Sequence, residues 1–221
     1  MSTVAAPQYF YSSTAGKKAA MAVSGFILFL FVVAHLIGNL QIYAGPEKLN
    51  RYAVLLRAEP ALLWAVRLVL LAMVLLHIWS SIQLAARNIG ARPMEYRMKR
   101  ATGSSYASRT MYWSGPIILA FVIYHLLDFT FGKVNPHYQP GNVYGNVVAS
   151  FQVIPVAAFY IIAMLLLCLH LYHGLWSMFQ SLGIAHPRYT PMLRKGAAMV
   201  ATLIAAGNIS IPVAVLAGLV R

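Results

Sequence analysis

Acidic side chains are scarce in this sequence, which has 4 Asp and Glu residues against 17 Lys and Arg. Only 10% of its 221 residues are charged, whereas soluble domains carry about a quarter. With 60% hydrophobic residues and a mean hydropathy of +0.69, the chain is too apolar for a soluble fold. We therefore expect an integral membrane protein.

Disulfides and nucleic-acid binding are also excluded. The single cysteine, Cys168, has no partner for an intramolecular disulfide and lies in an apolar run. The net charge of +13 comes from Lys and Arg in short segments between long apolar runs. Such segments determine membrane topology and contact anionic lipid or a partner protein. No nucleic acid is therefore expected as a partner.

Five apolar segments are long enough to cross a bilayer as helices, which takes about 20 residues each. They cover residues 19–43, 61–86, 111–131, 151–179 and 196–220. They predict an all-α membrane protein with five transmembrane helices in a single domain, residues 1–221. We expect the N-terminus to be cytoplasmic and the C-terminus to be outside, because this orientation puts most Lys and Arg residues on the cytoplasmic side, as the positive-inside rule favours.

The first four segments are two copies of one helix pair. Each pair opens with Ser-Gly, nine further residues and His, and its second segment carries His thirteen residues before Gly. The opening pattern occurs at Ser24, Gly25 and His35 and again at Ser114, Gly115 and His125. The closing pattern occurs at His77 and Gly90 and again at His170 and Gly183.

Histidine inside a membrane marks a functional site by default. Counting about 1.5 Å of rise per residue places His35 and His125 nearer the outside (the outer pair) and His77 and His170 nearer the inside (the inner pair). Two imidazoles facing each other at one depth can bind a low-spin haem iron. The four histidines predict two stacked b haems, enclosed by the duplicated helix pairs.

Some positions have a second interpretation. A lone membrane histidine is often only an interhelical hydrogen-bonding residue. Gly25 and Gly115 could give clearance to the inner haem or could simply let helices pack closely. His173 rivals His170 as a ligand, but only His170 keeps the thirteen-residue spacing. We expect His173 to contact a haem propionate or to support a ligand from the next layer of residues, with an ordinary interhelical hydrogen bond as the alternative. Two loop histidines are expected to be solvated: His137 and His186.

The four histidines, the Ser24-Gly25 opening and the run His170-Leu-Tyr-His-Gly-Leu-Trp-Ser resemble a known family. This is the single-subunit, di-haem cytochrome b anchor of succinate:quinone oxidoreductases, found in succinate dehydrogenase and quinol:fumarate reductase. The resemblance implies an enzyme subunit in a bacterial-type cell membrane, without succinate chemistry of its own. A flavoprotein subunit would oxidise succinate and an iron–sulfur subunit would pass on the electrons. This chain would carry them through the inner and then the outer haem to membrane quinone, expected to be menaquinone.

The resemblance also suggests roles for polar residues. Glu59 stands 24 residues after His35, as an acid does in family members, and would exchange protons with quinone; capping of the next helix is the alternative. Arg67 could pair with a haem propionate or snorkel to the interface. Asp128 could be a second proton group or a helix-end polar residue. Cys168 replaces the glutamate that serves transmembrane proton movement in some relatives, which argues against that pathway.

The basic segment 87–109 would dock the iron–sulfur subunit or anionic lipid, or would act only as a topology signal. Two other functions remain open at this point. The chain could be the cytochrome b subunit of a hydrogenase or formate dehydrogenase, or a small non-haem transporter whose histidines relay protons. One histidine on each of four consecutive helices favours the succinate type.

Overall fold

The computed structural model describes residues 10–91 and 106–221, which form seven α-helices. The helices are α1 (Thr14–Asn39), α2 (Pro46–Arg57), α3 (Pro60–Gly90), α4 (Tyr106–His125), α5 (Val143–Phe151), α6 (Ile154–Ser181) and α7 (Thr190–Leu216). Five of the described helices, α1, α3, α4, α6 and α7, are long and apolar enough to cross a membrane. The predicted all-α membrane fold is confirmed, and the described residues contain no β-strand.

The ends of the long helices differ from the limits of the apolar segments because capping residues determine them. α1 begins at residue 14 rather than 19, since the Ser13 hydroxyl accepts a hydrogen bond from the Gly16 amide at 2.9 Å. A 3-10 turn, Leu40–Ala44, extends this span to residue 44. α7 begins at residue 190 rather than 196 because Pro191 is favoured in a first helical turn.

Two other helices continue into polar sequence. α3 runs to residue 90 rather than 86, and α4 begins at residue 106 rather than 111. Backbone hydrogen bonding needs no apolar side chain, so these helices extend beyond their hydrophobic segments. α4 then ends in a wide π-helical turn, Leu126–Thr130, in which the Phe131 amide donates to the Leu126 carbonyl at 2.9 Å.

Two short helices, α2 and α5, occupy connections in which no helix was predicted. The Asn142 side chain caps α5 by accepting from the Gly145 amide at 3.0 Å. Because α5 ends at residue 151, α6 begins only at residue 154, not at 151 as predicted. The two short helices contact each other through Asn50, whose side-chain oxygen accepts from the Tyr144 amide at 3.0 Å.

The helix α6 lies at the centre of the bundle and packs on α7, α4 and α1, while α1 also packs on α3. The order of neighbours is therefore α3, α1, α6, α4, with α7 against α6 and α1. Small side chains let α6 and α7 approach closely. The buried alanines on these two helices include Ala157, Ala163, Ala197, Ala201 and Ala205.

Candidate functional site

The outer pair lies between α1 and α4. The ring centroids of His35 and His125 are 5.7 Å apart, with the ring planes at 85°. Aromatic side chains surround both rings: Phe31 stacks on His35 at 5.3 Å, and Phe121 and Phe129 flank His125 at 5.8 and 5.5 Å. The two imidazoles thus meet within apolar walls.

The inner pair lies between α3 and α6. The ring centroids of His77 and His170 are 6.2 Å apart, with the planes at 56°. One turn further along α6, the His173 ring packs edge-on against Trp176 at 5.5 Å. His170 is therefore the α6 histidine that meets His77.

Both pairs join helices that are diagonally opposite in the bundle. α1 and α4 are separated by α6, and α3 and α6 are separated by α1. The imidazoles therefore reach across the bundle interior, where a cofactor can be held between four helices.

The spacing of each pair fits two ligands on opposite sides of one metal ion. An imidazole nitrogen binds a first-row metal at about 2 Å, so two such rings have centroids about 6 Å apart. The part of the chain that the structure describes has no group of three or more His, Cys, Asp or Glu able to hold a metal. Two facing imidazoles fit a metal with two protein ligands and a macrocycle, as in haem.

Two buried serines hold the rings of the inner pair. The Ser24 hydroxyl lies 3.4 Å from His77 Nδ1, which is also 3.1 Å from the Met21 carbonyl oxygen. The Ser114 hydroxyl lies 3.5 Å from His170 Nδ1. Both serines are fully buried. Engaging Nδ1 leaves Nε2 directed away from the backbone and free for a metal.

Sequence reasoning missed these serines as site residues and used them only as markers of the repeat. The available signal was their recurrence at the same distance from His35 and His125. A hydroxyl that recurs in an apolar helix needs a hydrogen-bonding partner in each copy. The Ser24 hydroxyl donates to the Ala20 carbonyl of its own helix at 2.7 Å, whereas its contact with His77 is made to another helix and could not be identified from spacing.

The two repeat glycines have different surroundings. A β-carbon at Gly25 would lie 3.0 Å from His77 Cε1 and 3.2 Å from Nδ1, so glycine makes room for this imidazole. A β-carbon at Gly115 would meet no atom within 4 Å. At Gly25, the close approach of the His77 ring therefore explains why the residue has no side chain.

Asp128 is a buried member of a hydrogen-bond network. Its Oδ2 accepts from the Ser150 hydroxyl at 2.7 Å and from the Tyr160 hydroxyl at 2.9 Å. The Tyr160 oxygen in turn lies 3.5 Å from His125 Nδ1. Asp128, only 1% exposed, is therefore not a solvated helix-end residue but is linked through Tyr160 to the outer pair.

Unpaired donors and a cation lie beyond the inner pair, towards the C-terminal end of α6. Among the described residues, His173 Nδ1 and Trp176 Nε1 are buried and have no hydrogen-bond partner. The Arg194 guanidinium stacks over Trp176 at 4.3 Å from the ring centroid. Trp176 and Arg194 line an open pocket of about 260 Å³, together with Gln180 and His186.

Glu59 and Arg67 are both exposed. Glu59 directly precedes α3, yet its side chain makes no capping hydrogen bond there. Arg67 stacks over Trp64, 5.1 Å from the ring centroid. Within residues 10–91 and 106–221, the structure joins neither residue to a histidine pair by a hydrogen bond or ring contact.

The loop histidines His137 and His186 are exposed, as expected. Most of the predicted basic docking segment, residues 92–105, lies outside the described residues. At its start, Arg87 donates to the Ser12 carbonyl at 2.7 Å and to the Thr14 hydroxyl at 3.1 Å. This arginine therefore ties α3 to the beginning of α1.

The fold and the site define a class of protein: a membrane protein with five long apolar helices and paired histidines across its interior. A family model, succinate dehydrogenase/fumarate reductase transmembrane subunit, matches residues 92–209, which is more than half of the chain. The chain belongs to this family. No curated protein and no solved structure gives a significant match. Family membership decides against the hydrogenase, formate dehydrogenase and transporter alternatives.

Proposed function

We propose that this chain is the electron-carrying anchor of a succinate dehydrogenase or fumarate reductase complex. Electrons would pass between an iron–sulfur subunit and membrane quinone through two b haems. The observation that carries this proposal is the pair of imidazole contacts, with centroids at 5.7 and 6.2 Å. Bound haem supplies reversible one-electron chemistry, while the protein supplies the ligands, their orientation and the apolar surroundings.

The two pairs stand at separate levels along the same helices. Ser24, which contacts His77, precedes His35 by 11 residues on α1, and Ser114 precedes His125 by the same interval on α4. At the helical rise, this interval corresponds to about 16 Å. Two haems at these levels would form a stepwise route across the membrane, with the inner one nearer the predicted cytoplasmic side and the iron–sulfur and flavoprotein subunits.

The donors beyond the inner pair support contacts to haem propionates. A buried polar group without a partner is costly, and His173 Nδ1 and Trp176 Nε1 are two such groups. Arg194, stacked on Trp176, adds a positive charge close to them. A carboxylate from the inner haem would supply the missing acceptor. At the outer level, Arg67 is the candidate for the same role, with snorkelling as its alternative.

Glu59 is our candidate for proton exchange with quinone. Quinol loses two protons with its two electrons, so its site needs a titratable group close to water. Glu59 is exposed at the start of α3, and its side chain is not used in capping. A quinone site at this end, beside the outer pair, would suit menaquinone. The exposed basic residues at the opposite end, including Arg188, would face the partner subunits or anionic lipid.

The decisive experiment is haem stoichiometry with a redox-titrated visible spectrum of the purified complex. We expect two b haems per chain. His35→Ala and His125→Ala should each remove the outer haem, and His77→Ala and His170→Ala the inner one. Two b haems are expected in His137→Ala, the control in an exposed loop. One haem or none in the unaltered complex would refute the proposal.

The same spectra decide between His170 and His173. His173→Ala should keep both haems, because His170 meets His77. Loss of the inner haem in His173→Ala, together with its retention in His170→Ala, would reverse the assignment.

A further inference from the structure

We propose that Tyr160 and Asp128 are positioning residues that hold His125 with its proton on Nδ1 and thereby lower the reduction potential of the outer haem. This inference rests on the proposed function, because it concerns the metal-binding form of His125. Tyr160 lies on α6, and Asp128 lies in the turn after α4.

The direction of the hydrogen bonds follows from the proton count of one hydroxyl. Tyr160 has a single hydroxyl proton, which it donates to Asp128 Oδ2 at 2.9 Å. Only its oxygen lone pairs then remain for His125 Nδ1, 3.5 Å away. This long contact is favourable only when Nδ1 carries the proton. Nε2 is then unprotonated and can bind a metal.

Asp128 is held in place as an acceptor. It also accepts from the Ser150 hydroxyl at 2.7 Å. Asp128 and Ser150 are 1% and 5% exposed, so water does not compete for these bonds. The Ser150 and Tyr160 hydroxyls therefore both donate to the same carboxyl oxygen.

The Tyr160 ring is itself fixed by packing. It is 6% exposed, and its centroid lies 4.9 Å from that of Phe151 and 5.0 Å from that of Phe121. Both neighbours meet it edge to face, a favourable aromatic geometry. The packing therefore fixes the position of the Tyr160 hydroxyl oxygen, within hydrogen-bonding reach of both Asp128 Oδ2 and His125 Nδ1.

The partners of the inner pair are of another kind. His77 Nδ1 faces the Ser24 hydroxyl and the Met21 carbonyl, and His170 Nδ1 faces the Ser114 hydroxyl. In the part of the chain that the structure describes, no hydrogen bond links any of these groups to a carboxyl group. An acceptor that is hydrogen-bonded to the Nδ1 proton makes the imidazole a more basic ligand, and a more basic ligand favours the oxidised metal. The Asp128–Tyr160 chain therefore acts on the outer haem alone.

The test uses the assembled complex with Tyr160→Phe and with Asp128→Asn. Tyr160→Phe removes the oxygen behind His125 but keeps the ring, and Asp128→Asn weakens the acceptor that orients the hydroxyl. We expect two haems per chain and a higher midpoint potential for the outer haem only. For Tyr160→Phe the change in its oxidation equilibrium should reach about tenfold, which equals about 59 mV for one electron. The low-spin electron paramagnetic resonance signal of the outer haem should shift as well.

Tyr124→Phe is the matched control. The Tyr124 ring lies 6.1 Å from that of Tyr160 in the same aromatic cluster. Within the described residues, the His125 Nδ1 contact is made by the Tyr160 hydroxyl and not by that of Tyr124. This variant should leave both potentials unchanged. Unchanged potentials in Tyr160→Phe and Asp128→Asn, or equal shifts of both haems, would overturn the inference and leave the proposed function intact. If Tyr160→Phe does not assemble, Asp128→Asn must show the outer shift by itself. Failure of the proposed function would instead be seen as missing haem in the unaltered complex.

Discussion

At the scale of single residues, the candidate site consists of histidine rings whose Nδ1 atoms contact polar groups. His77, His125 and His170 each have an Nδ1 partner within 3.5 Å, and the partners come from other helices. Such contacts orient each ring, so the proposed metal binding would need little reorganisation. The identity of each partner, a hydroxyl, a carbonyl or a carboxyl-linked phenol, would then tune each proposed ligand separately.

Glu59→Gln tests the quinone role of the acid before α3. Glutamine has nearly the same shape but cannot exchange a proton, so quinone turnover should fall by about 10²-fold or more, as is typical for a lost general acid or base. Both haem spectra should remain normal. The measurement is succinate:quinone reductase activity, compared with succinate oxidation by a water-soluble acceptor.

Glu47→Gln is the control for that experiment. Glu47 is an exposed acid in the first turn of α2, at the same end of the bundle as Glu59. Its substitution should leave quinone turnover unchanged. Equal losses in the two variants would point to surface charge, and full activity of Glu59→Gln would remove this residue from the quinone site.

At the scale of elements, the contact between α6 and α7 depends on small side chains. Ala201 is fully buried beside Leu171 and Ile204. Ala201→Leu would overpack this contact and should lower the unfolding free energy by about 1–3 kcal/mol. The thermal midpoint of the detergent-solubilised chain should fall by roughly 2–10 °C.

Ala206→Leu provides the comparison on the same helix. Ala206 is exposed on α7, so an identical change there adds a side chain towards lipid rather than into the contact. Its thermal midpoint should stay close to that of the unaltered protein. Similar losses in both variants would show that helix propensity, and not packing, explains the effect.

The spans could be predicted from the sequence because a membrane helix satisfies its own backbone, and apolar length alone reveals it. The pairing of the histidines could be expected because the helical rise is constant, and the structure brings His35 to His125 and His77 to His170. The short helices α2 and α5 were missed because their stability comes from contacts such as Asn50 with Tyr144, distant in sequence. The hydrogen bond from Tyr160 to Asp128 could not be predicted either, because these residues are also distant in sequence.

At the scale of the whole molecule, the predicted orientation can be tested with the single cysteine of the chain. Cys168 lies within α6, so Cys168→Ser gives a background without thiols. Lys133→Cys and Arg188→Cys then place one thiol at an exposed position at each end of the bundle. With the N-terminus inside, a membrane-impermeant maleimide should label the Lys133→Cys chain in intact cells and the Arg188→Cys chain only after permeabilisation. The reverse pattern would invert the topology.

The diagonal arrangement of the histidines has a consequence for how such a protein is built. His35 meets His125, its own counterpart 90 residues later, and His77 meets His170, its counterpart 93 residues later. Self-matching contacts of this kind are the mark of a two-fold symmetric dimer. The first four long helices thus have the geometry of two fused copies of a helical hairpin, with the midpoint of each histidine pair on the former symmetry axis. Neither hairpin holds a complete site, so a chain cut between them would need both pieces to form either one.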